Sequence, residues 1–216
     1  MRPHSVVHRA PSWVFEEEAW ACGYCRVAGL DEAGRGPLAG PVVGAAVILP
    51  RRCSLPSLDD SKRLSREERE TLFQQITQRA VAWGIGCASE IEIDRLNILE
   101  ATRLAWARAL LQLAPAPDFL LIDATSLSGN ALPQRAIIKG DQLSVSIAAA
   151  SILAKVHRDW LMGVYHRQHP VYRFDVHKGY PTPQHLDLLA TFGPCSAHRR
   201  SFRLFPVPSQ KTKEFE

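Results

Sequence analysis

The eight residues between Pro41 and Pro50, Val-Val-Gly-Ala-Ala-Val-Ile-Leu, carry no polar side chain. A strand with one wet face alternates apolar and polar residues, whereas an unbroken apolar run of this length marks a buried one. Pro41–Leu49 therefore reads as a core strand stopped by Pro50. The other long apolar run, Ser144–Ala154, is also a core element. No stretch reaches ~18 uninterrupted apolar residues, so no membrane-spanning helix is expected. A chain of 216 residues can bury a core of its own as one domain.

Strand and helix patterns surround that run. Phe15–Ala21 reads as a short acidic helix, and Arg26–Leu30 as an apolar strand ending in Asp31-Glu32. Ser65 starts a helix over Arg66–Arg79, with Glu68 placed to complete a capping box. Val81–Ser89 reads as a third strand. Glu90–Leu96 and Ile98–Leu113 are expected to be helices, the second with Ile98, Ala101, Leu104, Ala105, Ala109 and Leu113 at helical spacing. Asp118–Ile122 is a fourth strand terminating at Asp123, and Arg135–Ile138 a shorter fifth ending near Gly140-Asp141. A long helix follows over Ser144–Tyr165, and a last one over Pro183–Thr191 with Thr182 as cap. Antiparallel strands first and strand–helix units later give an α/β fold, a mixed five-stranded sheet flanked by helices with a C-terminal helical portion. One domain over residues 16–206 is expected, between flexible tails at 1–15 and 207–216.

Five Cys, at 22, 25, 53, 87 and 195, make no disulfide framework, which suits a reducing cytoplasm. Cys22 and Cys25 form a lone CxxC; a zinc site needs a second pair, so they read as ordinary thiols. The basic stretch Met1–Ala10 lacks a following apolar segment and is not a secretory signal.

The net charge of +4 is unevenly spread. Residues 1–132 hold 14 Lys and Arg against 16 Asp and Glu, whereas residues 133–216 hold 12 against 6 and six of the eight His. A basic half suits a polyanion such as nucleic acid, and equally suits a merely basic surface.

Asp31-Glu32, Asp123 and Asp141 all fall at or just after strand ends, where α/β sheets gather functional groups. Carboxylates are hard oxygen ligands, matched to Mg²⁺ or Mn²⁺. Crowded together they repel, and a metal pair would remove that penalty while activating water. Each Asp can also be an ordinary turn or cap residue. Adjacent residues on a regular strand face opposite ways, so Asp31 and Glu32 share a site only if the strand ends or distorts there. The turn Gly34-Arg35-Gly36 allows close backbone approach, fit to contact a sugar hydroxyl or phosphate, such as the 2′-OH that marks RNA. It is equally an ordinary tight turn. Tyr180, in His177-Lys178-Gly179-Tyr180-Pro181, can stack on a sugar or base or simply pack. Lys62, in Asp60-Ser61-Lys62-Arg63, offers a phosphate contact. The cluster His198-Arg199-Arg200-Ser201-Phe202-Arg203 can bind phosphates or cover the core with Arg stems.

These blocks together resemble a known family. Ala28-Gly29-Leu30-Asp31-Glu32-Ala33-Gly34-Arg35-Gly36-Pro37-Leu38-Ala39-Gly40-Pro41-Val42 is similar to the opening signature of bacterial ribonuclease HII. Asp60–Leu64, Ser146–Val156 with Arg158-Asp159, His177–Pro181 and His198–Phe202 resemble its later blocks, in family order over roughly residues 16–206. The resemblance implies a ribonuclease H-like fold. It also implies cleavage of the RNA strand of RNA–DNA hybrids and incision 5′ of single ribonucleotides embedded in duplex DNA. It maps four catalytic, metal-binding carboxylates onto Asp31, Glu32, Asp123 and Asp141, around two Mg²⁺ or Mn²⁺ ions. Gly34, Arg35, Gly36 and Tyr180 map onto substrate-binding positions, with the Gly-Arg-Gly turn reading the RNA–DNA junction and Tyr180 packing on the next deoxyribose; Lys62 joins them as a substrate-binding candidate through its own phosphate contact. Asp159 stays a structural or supporting residue. About 25 residues precede the first strand, too few for the extra N-terminal domain of the related ribonuclease HIII. A cytoplasmic monomer without a membrane partner is expected; a sliding-clamp contact is not legible in these residues. Two rival readings stay open: a nuclease of the same fold acting on DNA junctions or long hybrids only, and a non-catalytic nucleic-acid-binding module.

Overall fold

The computed structural model describes residues 10–204. Five strands form one sheet: β1 (Val27–Ala33), β2 (Val42–Ile48), β3 (Ala82–Ala88), β4 (Phe119–Asp123) and β5 (Gln134–Ile137). Their order is β3-β2-β1-β4-β5. β2 pairs antiparallel with β1 and β3, whereas β1–β4 and β4–β5 are parallel. The expected mixed sheet is therefore present.

The apolar run explains why β2 is buried throughout. Val43, Ala45 and Val47 pack with Ala148, Ala149 and Ile152 of α6 (Val145–Gln168) and with Leu72 and Ile76 of α2 (Arg66–Arg79). Ala46 and Ile48, pointing the other way, meet Trp106 and Ala109 of α4 (Ile98–Leu110). Period-two alternation sends apolar groups to both faces, so a helix is needed on each. Gly29 lets α6 lie directly on β1: a Cβ there would stand 2.1 Å from the Ser146 carbonyl carbon. Ser65 caps α2 through Glu68 N–H, and the Glu68 carboxylate returns the bond to Ser65 N–H, the expected capping box.

α3 (Glu90–Leu96) leads into α4, and α5 (Gly140–Leu143) is a single turn before α6. After α6, a 3₁₀ turn (Pro170–Tyr172), α7 (Phe174–His177) and α8 (Pro183–Phe192) make the C-terminal helical portion. Tyr172 and Phe174 anchor it against Ala39, Met162 and Ala197. Thr182 caps α8 as expected, accepting from His185 N–H.

Asp141, expected just after a strand end, lies in the short helix α5 between β5 and α6. Two expectations are corrected. β1 does not stop at Leu30 but runs through Asp31-Glu32 to Ala33. The folded body begins before position 16: α1 starts at Val14, Ser12 N–H donates to Leu143 O at 3.0 Å, and Trp13 packs against the core. The rest of the expected tails, residues 1–9 and 207–216, lies outside the described residues. Among the described residues no helix is long and apolar enough to cross a membrane.

Candidate active site

The C-terminal end of β1 organises the site. Gly29 faces α6, and Asp31, two residues on, shares that face and meets Ser151 of α6. Ala28 and Leu30 pack on the α4 face, and Glu32 continues their alternation. Adjacent carboxylates thus leave the strand on opposite faces, with no distortion of β1. They converge because β1–β4 pairing ends at Leu30↔Ile122, one residue short of Asp123. Both acids feel the charge of Asp123, the last residue of β4.

Eight of the nine expected site residues line one cavity of about 220 Å³: Asp31, Glu32, Gly34, Arg35, Gly36, Lys62, Asp123 and Tyr180. Asp141 joins through Lys62, whose Nζ donates to Asp141 Oδ2 at 3.0 Å. A larger groove, about 550 Å³, runs between α2 and α6, but none of the four carboxylates lines it.

The cavity is electrostatically unsatisfied. Burial drives the Asp31 pKa well above the usual carboxylate range, reinforced by Glu32 and Asp123. Glu32 is pushed up to about 7, chiefly by burial, with Asp123 adding and Arg35 opposing. Asp123 is also raised by burial, although Gly140 N–H donates to its Oδ1 at 2.7 Å. Asp31 Oδ1 accepts from Glu32 N–H at 2.7 Å, and Arg35 reaches Glu32 Oε1 at 3.4 Å. Glu32 Oε2 is buried without a hydrogen-bond partner. Such an orphaned oxygen costs free energy unless a cation or proton meets it. Among the described residues no three His, Cys, Asp or Glu side chains form a ready-made metal cluster. Lys62 on Asp141 and Arg35 on Glu32 are the cations these acids hold instead.

Two buried arginines hold the main chain of the Gly-Arg-Gly turn and the segment after it. Arg199 is fully buried and donates Nε to Gly40 O at 2.8 Å, Nη1 to Arg35 O at 3.1 Å and Nη2 to Gly34 O at 2.6 Å. Arg158 is equally buried and donates to Pro41 O, Ala39 O and Lys178 O at 3.0–3.1 Å. The guanidinium fork suits several carbonyls at once. Burial, then the nearby Arg158 charge, brings the Arg199 pKa down to about 9. Gly34 takes φ +103°, and Arg158 Nε occupies the place of a Cβ there, 2.2 Å away. Gly36 faces Tyr180: a Cβ would stand 3.9 Å from its ring. Tyr180 is 41% exposed, free to meet a ligand.

Sequence reasoning offered Arg199 as a phosphate binder or a cover for the core; burial of its head group against main-chain carbonyls excludes the first. It overlooked Ser151 and Lys155, which line the cavity from α6. Their spacing of four residues on a helix was the available signal. Asp159 accepts from Lys155 Nζ at 2.7 Å and pairs with Arg69 at 3.9 Å.

Residues 28–205 match the family model described as Ribonuclease HII. The chain belongs to the ribonuclease HII family, and is a ribonuclease H by class. It is 54% identical over 195 residues to Ribonuclease HII of Desulfitobacterium hafniense strain DCB-2, covering 90% of this chain and 74% of that one. It is 54% identical over 191 residues to Ribonuclease HII of Geobacter metallireducens, covering 88% and 90%. Among solved structures, the RNase HII of a PCNA:RNase HII complex from Archaeoglobus fulgidus superposes with TM-score 0.68 at 27% identity, over 81% of this chain and 92% of that one. Ribonuclease H2 of Pyrococcus horikoshii OT3 gives 0.67 at 25%, over 83% and 95%. Bst-RNase HIII in complex with Mn²⁺, at 20% identity and TM-score 0.60, shares the fold, over 78% of this chain and 63% of that one.

Proposed function

We propose that this ribonuclease HII hydrolyses the RNA strand of RNA–DNA hybrids and incises 5′ of single ribonucleotides in duplex DNA. The observation that carries the reading is the orphaned Glu32 Oε2 in a cavity shared with Asp31, Asp123 and the Gly-Arg-Gly turn. Asp31, Glu32, Asp123 and Asp141 are the ligands in this reading. An all-carboxylate donor set, with pKa values of three members raised by burial, fits hard divalent cations. The chemistry supplied by a bound Mg²⁺ or Mn²⁺ pair is water activation and neutralisation of charge at the leaving 3′ oxygen, giving 3′-hydroxyl and 5′-phosphate ends.

The chain's own groups do the rest. Asp141 gives up Lys62, and Lys62 turns to a substrate phosphate; its 75% exposed side chain has room to do so. Arg35 contacts a second phosphate, and the turn held from behind by Arg199 presents its main chain to the 2′-OH. Tyr180, across from Gly36, packs on the deoxyribose that follows. A ribose flanked by both features is the one selected.

Cleavage of a DNA duplex carrying one ribonucleotide, with Mg²⁺ or Mn²⁺, tests the reading. A nick on the 5′ side of that nucleotide is expected, and Asp123→Asn should abolish it while the circular dichroism spectrum stays unchanged. Turnover near the wild-type rate in that variant would refute the ligand assignment. Cleavage of long hybrids alone would favour the narrower nuclease, and no metal-dependent cleavage at all a binding module.

A further inference from the structure

Beneath Tyr180 lies a group of buried histidines that the reaction does not use. His177 and His185 stack with ring centroids 4.2 Å apart, and His185 Nε2 meets His198 Nε2 at 3.0 Å. Their outer contacts fix every proton. Cys195 N–H donates to His198 Nδ1 at 3.0 Å, so that nitrogen is bare and the proton of a neutral ring sits on Nε2. His185 Nδ1 lies 2.9 Å from the main-chain carbonyl of Tyr180, which only accepts, so His185 carries its proton on Nδ1. Its Nε2 is then bare and faces a donor. The two rings hold opposite tautomers, and only that pair satisfies all three contacts.

We propose that His185 and His198 are positioning residues for Tyr180, a relay running from Cys195 N–H through His198 and His185 to the Tyr180 carbonyl. The proposal rests on Tyr180 contacting the nucleic acid, and it names a side-chain support of that residue, whose carbonyl also accepts from Thr182 N–H at 2.8 Å. A second proton on either ring would set N–H against N–H. Burial lowers the pKa of both, that of His198 to about 4, so both rings stay neutral near pH 7. The surroundings brace the relay. His177 Nδ1 accepts from Gly179 N–H at 3.1 Å, and Gly179 O accepts from Leu38 N–H at 2.8 Å, tying this loop to the segment after the Gly-Arg-Gly turn. Phe174 packs edge-on against His185 and tilted against His198. The ring of Tyr180 is left beside the Arg158 guanidinium, 5.8 Å from its centroid. A shift of the Tyr180 carbonyl would move that ring away from Gly36.

Long-range ¹H–¹⁵N correlation spectra of the ¹⁵N-histidine-labelled chain read the tautomers directly. Nδ1–H on His185 and Nε2–H on His198 are expected; the same tautomer on both rings overturns the relay, whatever the variants do. Kinetics then follow on the single-ribonucleotide duplex. His198→Leu should raise KM about threefold to tenfold, the worth of one neutral hydrogen bond, with kcat little changed. His198→Gln keeps a donor towards His185 Nε2 and should restore most of the loss. In a Tyr180→Ala background His198→Leu should add nothing. An unchanged KM in His198→Leu, or a full additional loss beside Tyr180→Ala, overturns the positioning role. If Tyr180→Ala alone leaves KM unchanged while the tautomers stand, the fault lies in the substrate reading of Tyr180.

Discussion

Replacing Arg199 with Lys decides whether the C-terminal basic cluster grips substrate or holds the protein together. The guanidinium serves three carbonyls, those of Gly34, Arg35 and Gly40, from three different nitrogens. An ammonium is a single point and reaches one of them well. Two buried carbonyls then lose their donor, at about 1–3 kcal/mol each, or about 2–6 kcal/mol in all. That is a large share of the ~5–15 kcal/mol that holds a typical domain folded. For a chain of this size it corresponds to a Tm lowered by roughly 5–20 °C. Thermal unfolding followed by circular dichroism measures the fall. Hybrid affinity measured against salt concentration gives the second reading. A phosphate-contacting Arg that becomes Lys should leave Tm unchanged and alter affinity and its salt dependence. A Tm within a degree of wild type, with weakened hybrid binding, would refute the internal role argued from its burial.

Three further outcomes follow from the same geometry. Gly29→Ala places a methyl 2.1 Å from the Ser146 carbonyl carbon, so α6 must move; a loss of about 1–3 kcal/mol is expected, read by urea unfolding. Ser65→Ala removes the oxygen that caps α2 and should cost about 1 kcal/mol in the same assay. Burial holds His198 at about 4 against 6.5 in a free side chain, so between those pH values the unfolded chain binds a proton that the folded chain refuses. Its contribution is present above pH 6.5 and is lost as pH falls towards 4, ~3 kcal/mol in full. The urea midpoint should decline over that window and decline less in His198→Gln; equal slopes for both chains would refute the assignment.

The sequence by itself determined the elements and singled out the strand-end acids as candidates, because both are written in local chemistry. An apolar run between prolines can only be buried, Ser65 with Glu68 three residues on makes its own cap, and acids at strand ends mark the edge of a sheet. Even the family resemblance rests on contiguous blocks of this kind. The local rule also has a limit: it required β1 to break for Asp31 and Glu32 to meet. Only the tertiary structure shows that β1 stays regular and β4 falls short, opening one end of the sheet to both faces.

Long-range contacts decided everything else. Arg199 and Gly34 lie 165 residues apart, Arg158 and Pro41 117, and Lys62 and Asp141 79. No spacing rule reaches that far. A basic cluster reads the same whether its arginine points at phosphate or at the main chain of the Gly-Arg-Gly turn. Charge is a property of the side chain, but its use is set by what folding brings against it, and the tautomers of His185 and His198 are fixed in the same way.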